Sequence, residues 1–236
     1  MSTFYFDGVR MEDLRILEGF SLPVWPNMDL DHLIIPGRSG AYRTHKRKMS
    51  RLIEVPVAVK FESQSELEDK LERLARELIK DGGRPLVFEA FPDRQYFAEV
   101  DSRALLSGAR HLGRLTISFV CHDPFKYAIE PVVTSANSVQ NRGSALSHPN
   151  FWVQFTASRS EFVITNATTG RTQRIIWNFT AGDVLEIDSS GRRISINGRV
   201  QMHAFDFMSQ WIELAPGINN LQANHAFMTD FLERWY

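Results

Sequence analysis

The sequence predicts a mainly β chain with a single helix, an α+β N-terminal domain over residues 1–133 followed by a β-sandwich domain over residues 134–236. Three patterns carry this: one leucine stripe at helical spacing, strand-like alternation around it, and short strand signals at regular intervals after a polar, turn-rich stretch.

The helix is read from Ser65-Glu66-Leu67-Glu68, where Ser and Glu three apart can satisfy backbone donors reciprocally. Leu67, Leu71, Leu74 and Leu78 fall on one face, while Glu66 with Lys70, Asp69 with Arg73 and Glu72 with Arg76 can pair on the wet side. Gly82-Gly83 and Pro85 end it. A stripe of barely two heptads suits packing on a sheet better than a coiled coil. Upstream, Ile53, Val55, Val57 and Val59 alternate with Glu54, Pro56, Ala58 and Lys60, a strand with one buried face. Pro56 has no N–H to give a ladder, which predicts an edge strand or a bulge there. Further strands are read at Leu86–Ala90, Tyr96–Val100 and Leu115–Cys121, the first two joined through the turn residues Phe91-Pro92-Asp93-Arg94.

After Asp123-Pro124 the alternation weakens, and the polar run from Thr134 to Ser144 is taken as the link between domains. Beyond Phe151, Thr169-Gly170, Ser190-Gly191, Asn197-Gly198 and Pro216-Gly217 punctuate short strands, the spacing of a sandwich or jelly roll. Asn197-Gly198 is the sharpest of these, since both residues tolerate the positive φ of a tight primed hairpin turn.

Composition narrows the function classes. A net charge of −1 gives the whole chain no strong pull toward nucleic acid or an anionic membrane. The start lacks a basic region followed by an apolar stretch, and no apolar run reaches bilayer-spanning length, so the chain reads as soluble, unexported and not inserted in a membrane. The single cysteine, Cys121, lies in an alternating apolar run and reads as a small buried side chain. Seven histidines are scattered without H-E-x-x-H, H-x-H or paired cysteines, which predicts no metal centre and no other cofactor. His122-Asp123 lacks any nucleophile signature and reads as a turn, and Gly37-Arg38-Ser39-Gly40 lacks the length and lysine of a P-loop. No enzyme class is indicated.

One charge feature is uneven. Arg38, Arg43, Lys46, Arg47, Lys48 and Arg51 lie in a stretch without an acid. It can be a solvated loop, an arm reaching an acidic neighbouring subunit, or the lining of a channel that meets passing DNA. Trp152, Trp177 and Trp211 can serve either the sandwich core or, if exposed, a surface on which sugar rings stack.

The order of motifs resembles one known family. Pro36-Gly37-Arg38-Ser39-Gly40, the basic loop, the strand Leu52–Lys60, the leucine helix, Leu86-Val87-Phe88, Pro92-Asp93-Arg94 with Tyr96-Phe97-Ala98, and Phe119 to Phe125 are similar to the distal tail proteins, or Dit, of long non-contractile-tailed bacteriophages. Gln95 stands where an aromatic is common after that turn. Asn141-Arg142-Gly143, Ser147-His148-Pro149, the turns named above and Arg234-Trp235-Tyr236 extend the likeness to the end of the chain. The resemblance implies a structural subunit whose first domain builds a homo-hexameric ring and whose second is a galectin-like sandwich. The ring would join the tail tube protein to the tail-tip hub protein, with DNA passing through in transit and receptor-binding or adhesion proteins docking on the outer domain. It further implies synthesis in the host cytoplasm and residence at the distal end of the virion tail. A carbohydrate-binding adhesin working through exposed tryptophans of the sandwich is the competing reading.

Overall fold

A computed structural model describes residues 3–101, 106–109 and 111–236. The chain separates into two compact units, the first comprising residues up to Lys126 together with Tyr236, the second Tyr127–Trp235.

The first unit runs β1 (Phe4–Phe6), β2 (Val9–Arg10), β3 (Leu14–Ile16), β4 (Met28–Leu33), β5 (Tyr42–Lys48), β6 (Arg51–Lys60), α1 (Gln64–Leu78), β7 (Arg84–Phe88), β8 (Arg94–Val100), β9 (Ser107–Ala109) and β10 (Leu112–Cys121). Its main sheet has the order β2-β1-β7-β8-β10-β6-β3. The period-2 pattern of β6 works as read: Ile53, Val55, Val57 and Val59 are buried in one core with Phe4, Phe6, Phe88 and Phe119. Helix α1 covers that core with Leu67 and Leu78 buried and Leu71 and Leu74 half-buried against it.

Two local expectations are corrected. The helix begins earlier than Ser65, because the Ser63 side chain accepts from Glu66 N at 3.2 Å while the Glu66 carboxylate accepts from Glu62 N at 2.7 Å. Nor does Pro56 mark an edge strand or a bulge. β6 pairs with β10 without a register shift from Lys60↔Leu112 to Arg51↔Cys121, and β3 lies on its other side over Val57–Val59. In an antiparallel ladder a residue's N–H and C=O point the same way. Since the Pro56 carbonyl accepts from Leu17 N at 2.9 Å, its missing N–H falls where β3 ends, and no ladder bond is lost. The Pro-Asp-Arg turn joins β7 to β8 as expected, closed by Phe91 N to Phe88 O and Arg94 N to Phe91 O.

After β11 (Lys126–Ala128), the second unit holds β12 (Val132–Thr134), β13 (Ser138–Asn141), β14 (Asn150–Gln154), β15 (Arg159–Asn166), β16 (Arg171–Phe179), β17 (Val184–Asp188), β18 (Arg193–Ile196), β19 (Arg199–Val200), β20 (Gly217–Ala223), β21 (Met228–Phe231) and β22 (Arg234–Trp235). A six-stranded sheet, β12-β21-β14-β17-β18-β19, faces a four-stranded one, β13-β20-β15-β16. Phe151, Val153, Leu185, Ile187 and Phe231 of the first meet Phe162, Ile164, Ile175, Phe179 and Leu221 of the second in one core. The Asn197-Gly198 turn has φ of 52° and 74° and joins β18 to β19, the primed geometry its residues predicted.

The division between units falls before residue 133, and the polar run 134–144 is no loose link. β12 pairs with β21, and β13 pairs with β20, so both belong to the sandwich. Within the run, buried Asn141 donates to the carbonyls of Ala145 and Leu214 and accepts from Gly143 N. Gly143 itself passes so close to Arg234 that a Cβ would lie 2.3 Å from the Arg234 carbonyl oxygen. The small, polar composition that suggested a linker therefore reflects close backbone approach and a buried amide network.

Candidate assembly surface

β4 and β5 form a two-stranded ribbon apart from the main sheet, joined by the segment 34–41. An isolated ribbon of this kind is marginally stable in water, and needs a hydrophobic face packed on something else. Every residue from 32 to 50 is exposed. Many of the exposed side chains are apolar: Leu30, Leu33, Ile34, Ile35 and Tyr42 on the ribbon, with Val24, Trp25 and Met49 at its base, Ile34 being 73% and Trp25 66% accessible. Scattered surface leucines need no explanation, but so many along and beside one short ribbon make it a candidate contact surface. Among the described residues no strand pairs with β6 opposite Leu52 and Glu54 on the side away from β10.

The basic residues divide by geometry. Asp29 lies opposite Arg47, Leu30 opposite Lys46 and Met28 opposite Lys48, until a bulge at Asp31/His32 sets His32 opposite Arg43 and Leu33 opposite Tyr42. Cross-strand partners share a face. Arg47 therefore shares its face with Asp29 and Asp31 and bridges both, at 3.4 and 3.1 Å. The bulge turns Arg43 onto the opposite face with Lys46 and Lys48. Lys48 is held in the first unit, 4.8 Å above the Phe125 ring and 4.4 Å above that of Tyr236, whose hydroxyl accepts from it at 3.2 Å. Arg38 stands 4.7 Å over the Tyr42 ring. Arg43 and Lys46 alone of the set have neither an acid nor a ring beside them among the described residues.

Arg51 is not part of this surface. It is 1% exposed, and its guanidinium donates to the carbonyls of Pro23 at 2.6 Å and Pro124 at 3.0 Å while facing the Tyr96 ring at 5.6 Å. Burial pulls its pKa below the ordinary arginine value. As a subunit-contact or channel residue it is corrected: in β6 its position has the parity of Ile53 and Val55, which face the core. His122-Asp123 is a turn as read, with Asp123 Oδ1 accepting from Phe125 N at 3.2 Å. Cys121 is fully buried, and burial pushes its thiol up to about 12. Sequence reasoning missed the apolar half of the surface. The only signals were the run Leu33-Ile34-Ile35 ahead of Pro36 and the alternation within Met28–Leu33.

Comparison with known proteins places the two units. Residues 9–121 match the phage tail protein RIFT-related domain, and residues 142–235 the C-terminal domain of the siphovirus-type tail component. Over 241 residues the chain is 26% identical to the distal tail protein of Bacillus phage SPP1, covering 99% of this chain and 95% of that protein. The chain belongs to the distal tail protein family. The crystal structure of the SPP1 Dit protein, described as a paradigm of the hub adsorption apparatus of phages infecting Gram-positive hosts, superposes with a TM-score of 0.84 over all of both chains at 23% identity. A chain of the phage p2 baseplate in its calcium-activated conformation shares the fold more distantly, with a TM-score of 0.55 and 8% identity over 95% of this chain and 91% of that one. This distal tail protein is a structural component of a phage tail, at its distal end, and it is not an enzyme. No described helix is long and apolar enough to cross a membrane.

Proposed function

We propose that this chain closes into a homo-hexameric ring through one repeated head-to-tail contact, and that the β4–β5 ribbon makes that contact. The ribbon carries the reading: among the described residues it adds no side chain to either hydrophobic core, and it exposes Leu33, Ile34, Ile35 and Tyr42 to water. Two different patches meeting head to tail generate a closed ring when the rotation between copies closes, and the ribbon supplies one patch, with the open stretch of β6 a candidate for the other. The first unit is then the ring-forming domain and the second a galectin-like outer domain. The ring joins the tail tube protein to the tail-tip hub protein, DNA crosses it only in transit, and receptor-binding or adhesion proteins dock on the second unit.

Arg43 and Lys46 reach an acidic neighbouring subunit in this reading. A channel through which DNA must slide gains nothing from gripping phosphates, since each lysine or arginine neutralising one adds to affinity. The competing adhesin needed exposed tryptophans in company. Trp177 and Trp211 instead pack against the sandwich core, and Trp177 and His203 lie with ring centroids 5.6 Å apart. Averaged electron-microscope images of the purified chain test the ring: six-fold particles with a central hole are expected, and a uniform field of single subunits at every concentration would contradict it.

A further inference from the structure

One tryptophan of the sandwich does face solvent. Trp152 is 39% exposed on the outer face of the six-stranded sheet, in the middle of a ladder. It lies opposite Glu186 on β17, and Asn150, on the same face of its own strand, lies between Asp188 on β17 and Asp230 on β21. Arg193 on β18 stands opposite Asp188. These side chains line an open depression of about 280 Å³, which adjoins a second of about 470 Å³, and the two share Asn150, Asp188 and Asp230.

The chemistry of this face is specific. An exposed indole offers a flat apolar platform, the complement of the C–H face of a pyranose ring. Around it stand a carboxamide, three carboxylates and one guanidinium, the donors and acceptors that vicinal hydroxyls require. Several are already oriented. Asn150 Nδ2 donates to Asp230 Oδ2 at 3.0 Å, and Asp188 Oδ1 accepts from Gly191 N at 2.7 Å while its Oδ2 faces Arg193 at 3.8 Å. Glu186 has no side-chain partner among the described residues, so its carboxylate is open to a ligand. Three acids against one arginine leave the depression net negative, which disfavours phosphate-, sulfate- or carboxylate-bearing polymers.

We propose that this face is a subsite for a neutral hexopyranose unit of a glycan, stacked on Trp152 with its hydroxyls held by Glu186, Asp188 and Asn150. The adjoining depression gives room for a second sugar unit. The site lies wholly within the second unit and does not depend on ring formation.

The full chain, titrated with the methyl glycosides of glucose, galactose and N-acetylglucosamine and separately with glycerol phosphate, tests the proposal by saturation-transfer NMR. At least one glycoside should receive saturation with a dissociation constant on the order of 1 mM. Binding should weaken at least tenfold in Trp152→Ala and in the isosteric Asp188→Asn, each with unchanged melting, and persist in Ile218→Ser, which alters an exposed side chain of the other sheet. Transfer to none of the glycosides, transfer to glycerol phosphate alone, or glycoside binding untouched by both Trp152→Ala and Asp188→Asn would each overturn it.

Discussion

Arg51 Nη1 donates to the carbonyl oxygen of Pro23 across 2.6 Å, inside the first unit. With its second bond to Pro124, the guanidinium ties the segment leading into the ribbon to the turn that follows β10. The last basic residue of the stretch is thus a strut, and its loss is a folding defect and not an assembly defect.

Arg51→Met should therefore lower the stability of the first unit by about 2–4 kcal/mol, since hydrogen bonds to a charged group each contribute about 1.5–3 kcal/mol and methionine relieves the cost of burying charge. Denaturant unfolding should show an earlier transition for the first unit and an unchanged one for the second. Unaltered unfolding together with lost association would return Arg51 to the contact surface.

Leu67→Ala should cost on the order of 2–5 kcal/mol, the range for a leucine truncated in a packed core, because Leu67 is buried between α1 and the sheet. Leu71→Ala should cost less, its side chain being half-buried. Equal losses at both sites in the same unfolding experiment would show that the helix seats differently.

Cys121 should resist alkylation in the folded chain at neutral pH, as its thiol is buried and shifted from 9.0 to about 12. The linkage has a defined sign. Between those values the unfolded thiol is ionised while the folded one keeps its proton, so the stability linked to this group is complete below about 9 and falls as pH rises toward about 12. The slope of unfolding free energy against pH in that window should be shallower in Cys121→Ala, by up to about 1.4 kcal/mol per pH unit. Identical slopes would place the thiol in water.

Replacing Arg43 and Lys46 together by Ser should weaken self-association, with a deficit that shrinks as salt rises. Arg47→Ser should have a smaller effect, because Arg47 already pairs with Asp29 and Asp31 of its own ribbon. Sedimentation across a salt series checks both, and equal effects of the two changes would contradict the division of faces made by the bulge.

What the sequence reveals follows from where the physics is local. The alternation of β6, the leucines of α1 and the Asn197-Gly198 turn each declare themselves, because core burial and positive φ act within a few residues. The acids that neutralise Arg47 lie in β4, so a linear scan from Arg38 to Arg51 counts charge without its partners. Likewise Met28–Leu33 mixes Asp, His and Leu and has no fully buried residue, so core periodicity is silent on this strand. Asn141 and Gly143 misled for the opposite reason: loop-like residues serve a buried network.

If the ribbon closes the ring, the mass of the purified chain in solution depends on its apolar side chains, and comparing the wild-type chain with Ile34→Asp reads that dependence. A charge placed in an apolar interface leaves an exposed side chain of the free subunit but a buried one of the assembly. The wild-type chain should have the mass of six copies, and the variant that of one, with unchanged melting of both units. A hexamer of undiminished affinity in Ile34→Asp would mean that the ribbon does not close the ring.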